Sequence, residues 1–171
     1  MKTEMKYGVI IALISAVWVI AQDLVGLHDR YIEYQTTVGW LSFIIPIAGL
    51  FFAIKDKRDK EFEGVISYGR CLKTGMLTSV VSGTIGAVFQ LIFLNFINPG
   101  FLGTMKDYQR QSMLDNGMPA EQVDMAIGMM EFTMSPVFFT IMAFVGAVVG
   151  GLLISLILGA FLKKDPPPVE A

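Results

Sequence analysis

The sequence predicts an all-α membrane protein: a four-transmembrane-helix bundle with an outer-surface pair of amphipathic helices between the third and fourth spans. Two observations lead to this fold class. The 171-residue chain is 54% hydrophobic, and its apolar residues form long uninterrupted blocks instead of a stripe on each helix. Ten of its thirteen lysines and arginines also lie on one side of these blocks. A soluble all-α domain would need helices with a polar face for water, which these blocks lack.

Four apolar blocks are long enough to cross a bilayer as helices, which takes about 20 residues each. We expect the spans to cover about 7–27, 38–54, 75–97 and 137–162. Asp23, near the end of the first block, is the one formal charge inside them. Helices are required because hydrocarbon offers no partner to backbone N–H and C=O groups. We therefore assign residues 1–165 to a single four-span membrane domain.

The basic residues orient the chain, because positive residues near span ends stay in the cytoplasm. One side carries Lys2, Lys6, Lys55, Lys57, Arg58, Lys60, Arg70, Lys73, Lys163 and Lys164, and the other carries Arg30, Lys106 and Arg110. We expect a multi-pass membrane protein with both termini cytoplasmic. Removal of the first span as a signal peptide would leave three spans and split the basic residues between two faces, so we expect this span to be retained.

The polar residues form no catalytic or strong metal motif. His28 is the only histidine, and a lone histidine in a loop is expected to be solvated and not a metal ligand. Cys71 is the only cysteine and is expected to be a small apolar filler beside the third span. No nucleophile–base pair or carboxylate pair is visible, so we expect no enzyme activity and no cofactor. The proline-rich tail, residues 166–171, is expected to be disordered in the cytoplasm.

Small residues recur at every fourth position of the fourth span. This row is Ala143, Ala147, Gly151, Ser155 and Gly159, with Gly146 and Gly150 on the adjoining ridge. A similar row in the third span comprises Gly75, Ser79 and Gly83. Small residues at this interval allow two membrane helices to approach closely. We expect the fourth span to pack through its row, either against the third span or against a second copy of the chain.

The outer segment, residues 99–135, is too long for a simple connector. Asn116-Gly117 is expected to end one helix, and Pro119 suits the first turn of another. On a projection of residues 119–134, a wide apolar arc has a thin acidic edge, as in a helix that lies on a membrane. The candidate interaction surface is formed by Met125, Met129, Met130, Met134, Glu121, Asp124 and Glu131. Its methionines offer an adaptable contact surface.

Methionine also binds Cu(I), so a copper site is a further interpretation of these residues. Met130 and Met134, followed by Gly146 and Gly150, loosely resemble the paired motifs of high-affinity copper transporters. Those transporters place the motifs on different helices, whereas Pro136 is expected to feed both into one helical run here. No cysteine or histidine lies nearby, so packing is the favoured role of these methionines.

The loop before the third span carries a family resemblance. Its sequence is Gly64-Val65-Ile66-Ser67-Tyr68-Gly69-Arg70-Cys71-Leu72-Lys73-Thr74-Gly75. It resembles a family of bacterial membrane proteins, the domain of unknown function 4199. The likeness continues through Pro46, Asn98-Pro99, Gly117 to Gln122, Ser135-Pro136 and Gly150 to Ile157. The resemblance implies four spans in a bacterial cytoplasmic (inner) membrane and brings no catalytic residues.

Two classes of function follow. The first is a structural or interaction scaffold that presents the outer segment to a partner or to lipid. The alternative is a small oligomeric transporter or channel, with copper handling a distant third. No pair of spans broken by glycine or proline marks a substrate site at the bilayer midplane, which favours the scaffold. The expected partners are the lipid bilayer and either a membrane or periplasmic protein or a second copy, and not nucleic acid, since acidic residues interleave with the basic ones.

Overall fold

Helices account for almost all of the chain that the structure describes. This computed structural model describes residues 2–164. Its α-helices are α1 (Thr3–Leu24), α2 (Gln35–Ser42), α3 (Ile44–Glu61), α4 (Tyr68–Ile92), α5 (Phe101–Asp115), α6 (Ala120–Met130) and α7 (Pro136–Leu162). A 3-10 turn, Ile32–Tyr34, precedes α2, and a π-helical turn, Phe93–Ile97, continues α4. The tail expected to be disordered, 166–171, lies outside the described residues.

Four helical segments are long and apolar enough to cross a membrane. They are Thr3–Leu24, Ile32–Glu61, Tyr68–Ile97 and Pro136–Leu162. This confirms the expected all-helical architecture with four candidate spans. Two further helices, α5 and α6, lie between the third and fourth of them, as expected from Asn116-Gly117: α5 ends at Asp115, and Gly117 adopts a left-handed φ of 81°.

Three differences between the helices and the expected span bounds have a clear local cause. The first helix ends at Leu24, because Gly26 adopts a φ of 82° and turns the chain. The second span is divided at Phe43, because Pro46 cannot donate a hydrogen bond to Ser42 and its ring crowds that carbonyl.

The third difference is that helix α3 continues through the charged segment as far as Glu61. Ion pairs at i,i+4 spacing support this extension, Lys57 with Glu61 at 2.8 Å and Asp56 with Lys60 at 2.6 Å. Helix α4 begins at Tyr68, so the connection between the two spans is only 62–67.

The bundle has two distinct ends. The basic end comprises the start of α1, the end of α3, the start of α4 and the end of α7. It is tied by two backbone hydrogen bonds of 3.0 Å between Ile66 and Lys164. Cys71 is fully buried there beside Ile54 and Leu162, which agrees with its expected role as an apolar filler. The opposite end carries α5 and α6, which we call the hairpin (residues 101–130).

Candidate functional site

The small residues of α7 face α4 in one antiparallel register. A Cβ built on Gly151 would lie 1.8 Å from Ser79 Oγ, and one on Gly75 would lie 1.8 Å from Ser155 Oγ. One step along, a Cβ on Gly159 would lie 3.2 Å from Cys71 Cβ. The two backbones are therefore so close that glycine is required on one helix wherever serine stands on the other. The structure thus places the row against the third span of the same chain.

The remaining positions of the row extend this register. A Cβ on Gly83 would lie 3.5 Å from Ala147 Cβ. The same four-residue step brings Ala143 opposite Ala87, and both residues line the cavity described next. Serine is tolerated inside the contact because its hydroxyl is satisfied within its own helix. Ser79 Oγ donates to the Gly75 carbonyl at 2.9 Å, and Ser155 Oγ donates to the Gly151 carbonyl at 2.6 Å.

A cavity of about 240 Å³ lies beside this interface, between the four spans. Gly146 and Gly150 line it, and a Cβ at either position would meet nothing within 4 Å. These two glycines therefore belong to the cavity wall and not to the close contact between α4 and α7. The polar side chains in the wall are those of Ser15, Ser79, Ser82 and Gln90, and the other lining residues are apolar.

At the opposite end from the basic residues, the Asp23 carboxylate joins three segments. Its Oδ1 accepts a hydrogen bond from Asn98 Nδ2 at 2.6 Å and lies 3.3 Å from His28 Nδ1. Asn98 is reached through the π-helical turn, whose last hydrogen bond runs from Asn98 N to the Phe93 carbonyl at 2.8 Å. We call Asp23, His28 and Asn98 the Asp23 clasp.

The expectation that His28 is solvated is wrong. This histidine is 4% exposed, and its ring meets Phe93 and Phe101 edge-on at centroid distances of 5.4 and 4.9 Å. Burial is tolerated because the Asp23 carboxylate satisfies one ring nitrogen and the aromatic rings cover the rest. Nothing in the loop sequence indicates that His28 is buried. A charged residue inside an apolar block requires a polar partner, however, and Asp23 is such a residue.

We predict that protonation of His28 opposes folding. Burial lowers the pKa of His28 below its ordinary value, with the Asp23 carboxylate partly opposing the shift. In the unfolded chain the pKa is about 6.5, so the unfolded state binds more protons once the pH falls below that value. The stability that the uncharged, buried His28 contributes is thus present above about pH 6.5 and is lost as the pH falls below that value. Nuclear magnetic resonance titration should give a pKa below 6.5, and a value at or above 6.5 would contradict the prediction.

The hairpin is attached to the bundle through the first turn of α5. Phe101 is 4% exposed and packs with Phe93 and Leu94. Leu102 and Met105 lie against the same cluster. Helix α6 is then held mainly by α5, and its own buried residues are Val123 and Ile127. The base of the hairpin is therefore fixed to the bundle, while α6 packs mainly against α5.

One face of the α6 region remains exposed and apolar. Met125 is 63% exposed, Met129 76% and Phe132 71%, whereas Met130 and Met134 are half-buried. The Phe132 ring lies 4.9 Å from that of Phe138, in the first turn of α7. The exposed face therefore runs on to the start of the fourth span. We call Met125, Met129 and Phe132 the α6 face.

The acidic residues of the α6 region, Glu121, Asp124 and Glu131, are exposed, and two of them pair with basic residues of α5. Asp124 lies 2.5 Å from Arg110, and Glu131 lies 3.9 Å from Lys106. Such exposed pairs add little stability, about 0–1 kcal/mol each. Glu121 forms no ion pair among residues 2–164 and lies in the first turn of α6, where a negative charge favours the helix dipole.

The methionine and glycine motifs considered for copper do not share a helix. Met130 ends α6, and Met134 lies in the turn before α7, whereas Gly146 and Gly150 are inside α7. The expectation of one helical run is thus wrong. Ser135 begins a new helix there, since its side chain accepts a hydrogen bond from Phe138 N and Pro136 occupies the first turn. Within residues 2–164, no group of three or more His, Cys, Asp or Glu side chains could hold a metal ion.

At the basic end, Lys57 links α1 to α3. Its Nζ lies 2.5 Å from Glu4 Oε1 and 2.8 Å from Glu61 Oε2. Thr3 Oγ1 donates to the other Glu61 oxygen at 2.5 Å. The Lys57 and Glu4 side chains are only 14% and 11% exposed, so each charge depends on the other. These residues are 53 apart, and no local pattern in the sequence could have predicted their contact.

The comparisons with known proteins identify a family for this chain. No curated protein and no solved structure matches the chain. The family described as protein of unknown function (DUF4199) matches residues 6–164, which include all four candidate spans in whole or nearly so. The chain therefore belongs to the DUF4199 family.

Proposed function

We propose that the chain is an interaction scaffold in the bacterial cytoplasmic membrane, with both termini in the cytoplasm and the hairpin on the outer surface. In this proposal the α6 face binds a membrane-embedded partner protein, and the chain carries out no catalysis. The observation that carries the proposal is the exposure of three large apolar side chains, Met125, Met129 and Phe132, on a hairpin whose base is fixed. Exposed apolar patches of this kind mark interaction sites.

The position and the apolar chemistry of the α6 face favour a protein partner that binds at the membrane surface. Its contact with Phe138 makes it continuous with the first turn of a candidate span. Methionine side chains adapt to irregular partner surfaces because they are unbranched and polarizable. The nearby carboxylates of Asp124 and Glu131 already have basic neighbours in α5, so recognition would rest on apolar contact more than on charge.

Photo-crosslinking tests this proposal and separates protein from lipid. A photoreactive phenylalanine analogue at Met129 should form an adduct with one protein of defined mass in intact cells. Met125→Ser with Met129→Ser should abolish co-purification of that protein. The matched control is Tyr108→Ser with Leu114→Ser, which changes two residues of α5 that are 40% and 37% exposed. Adducts with phospholipid alone would make lipid the occupant, and equal loss of the protein in both variants would contradict a role for the α6 face.

The cavity between the spans favours a second candidate function, transport of a small solute. Its wall contains the polar side chains of Ser15, Ser79, Ser82 and Gln90. Transport would require water to reach this cavity. With Cys71→Ser as background, Ser82→Cys should then react with a small water-soluble thiol reagent. If Ser82→Cys does not react, water does not reach the cavity. That result would contradict transport and leave the scaffold as the proposed function.

A further inference from the structure

The basic end contains a second recess, unrelated to the hairpin. A groove of about 610 Å³ opens between the start of α1, the end of α3 and the first turns of α4. Its charged lining residues are Lys2, Glu4, Lys57, Glu61, Arg70 and Lys73. Lys57 is engaged by Glu4 and Glu61, at 2.5 and 2.8 Å. The other three cations form no ion pair among residues 2–164, so the groove carries a net positive charge.

The groove changes from charged to apolar along α4. Arg70 and Lys73 lie at its mouth, and Leu77 and Val80 follow at helical spacing on the same side, 38% and 36% exposed. At 1.5 Å per residue, Lys73 and Val80 are separated by roughly 10 Å along the helix axis. Met5 of α1, 51% exposed, adds a further apolar wall. A ligand that fits must therefore be anionic at one end and apolar at the other.

The orientation of Arg70 supports an anionic ligand. Its guanidinium lies over the Phe62 ring, 4.4 Å from the centroid, which restrains the side chain without using its N–H donors. Among residues 2–164 these donors make no hydrogen bond. A restrained guanidinium beside two lysines is suited to a phosphate, which accepts paired hydrogen bonds from arginine.

We propose that this groove binds an anionic phospholipid. The phosphate would contact Lys2, Arg70 and Lys73, and an acyl chain would lie along Leu77, Val80 and Met5. Basic recesses between membrane helices bind anionic headgroups in this way. The placement also agrees with the basic end facing the cytoplasm, but the site does not depend on the proposed role of the hairpin.

The test uses the full chain purified in mild detergent, with phosphatidylglycerol, phosphatidylcholine or inorganic phosphate as the probe. Phosphatidylglycerol should raise the thermal unfolding temperature and remain bound in native mass spectrometry, whereas the other two should not. Arg70→Gln with Lys73→Gln should weaken phosphatidylglycerol binding roughly thirtyfold, since each cation near a membrane surface contributes about fivefold. If the double variant does not fold, Lys73→Gln alone, at an exposed position, is used in its place to test whether phosphatidylglycerol binding weakens.

The matched control is Lys163→Gln with Lys164→Gln, which removes the same charge at the same end but outside the groove. This variant should bind phosphatidylglycerol as the unmodified chain does. Equal weakening in both double variants would show attraction to general surface charge and would overturn the site. Stabilisation by phosphatidylcholine to the same extent, or by phosphate alone, would also overturn it.

Discussion

Replacing Gly151 by alanine is expected to destabilise the bundle strongly, whereas the same change at Gly150 is expected to be harmless. A Cβ at residue 151 would lie 2.5 Å from the Cβ of Ser79, so rotation of the serine cannot relieve the clash and the backbones must separate. At residue 150 a Cβ would meet nothing within 4 Å. Overpacking of this kind typically costs about 1–3 kcal/mol. Thermal unfolding in detergent should show the difference.

A compensating change provides the control for this prediction. Ser79→Gly removes the opposing side chain, so the double variant Gly151→Ala with Ser79→Gly should recover most of the lost stability. Gly151→Leu should be worse than alanine, and Leu153→Ile, at a position 56% exposed, should be mild. If the alanine variants at 150 and 151 unfolded at the same temperature, the register between α4 and α7 would be incorrect.

The second large effect is expected from Lys57→Met. This change leaves the carboxylate of Glu4, which is 11% exposed, without its cation. Removing one partner of a buried ion pair costs about 3–5 kcal/mol, and we expect the lower part of that range because water still reaches the pair. Detergent unfolding measures the loss.

The cost should come from the charge left behind and not from lost packing. Glu4→Gln in the Lys57→Met background should therefore restore much of the stability, because the unpaired charge is then absent. Lys55→Met, the same change at another lysine of α3, should have little effect. A double variant no more stable than Lys57→Met alone would show that the ion pair does not determine the stability of this end.

The four spans could be predicted because hydrocarbon leaves the backbone no alternative to a helix over each apolar block. Their ends could not, because Lys, Arg and Glu are also good helix formers and extend α3 to Glu61. The small-residue row of α7 was visible in its strict spacing. Its partner was not, because the same spacing serves a neighbouring span or a second copy equally well.

The polar contacts at the two ends were the least predictable features. The Asp23 clasp depends on how the loop after Gly26 turns and on the π-helical turn that leads to Asn98. Neither leaves a periodic pattern in the sequence. The hairpin helices were predicted from Asn116-Gly117 and Pro119, but the pairing of Asp124 with Arg110 requires knowledge of how α5 and α6 fold together.

The central claim is that the basic end and the hairpin lie on opposite sides of a membrane, and single-cysteine labelling tests it most directly. In a Cys71→Ser background, Lys60→Cys and Asn116→Cys each place one thiol at an exposed position. A membrane-impermeant maleimide applied to spheroplasts, whose outer membrane has been removed, should label residue 116 and should label residue 60 only after lysis. Labelling of both residues from the same side would contradict the four-span arrangement and with it the proposed position of the hairpin.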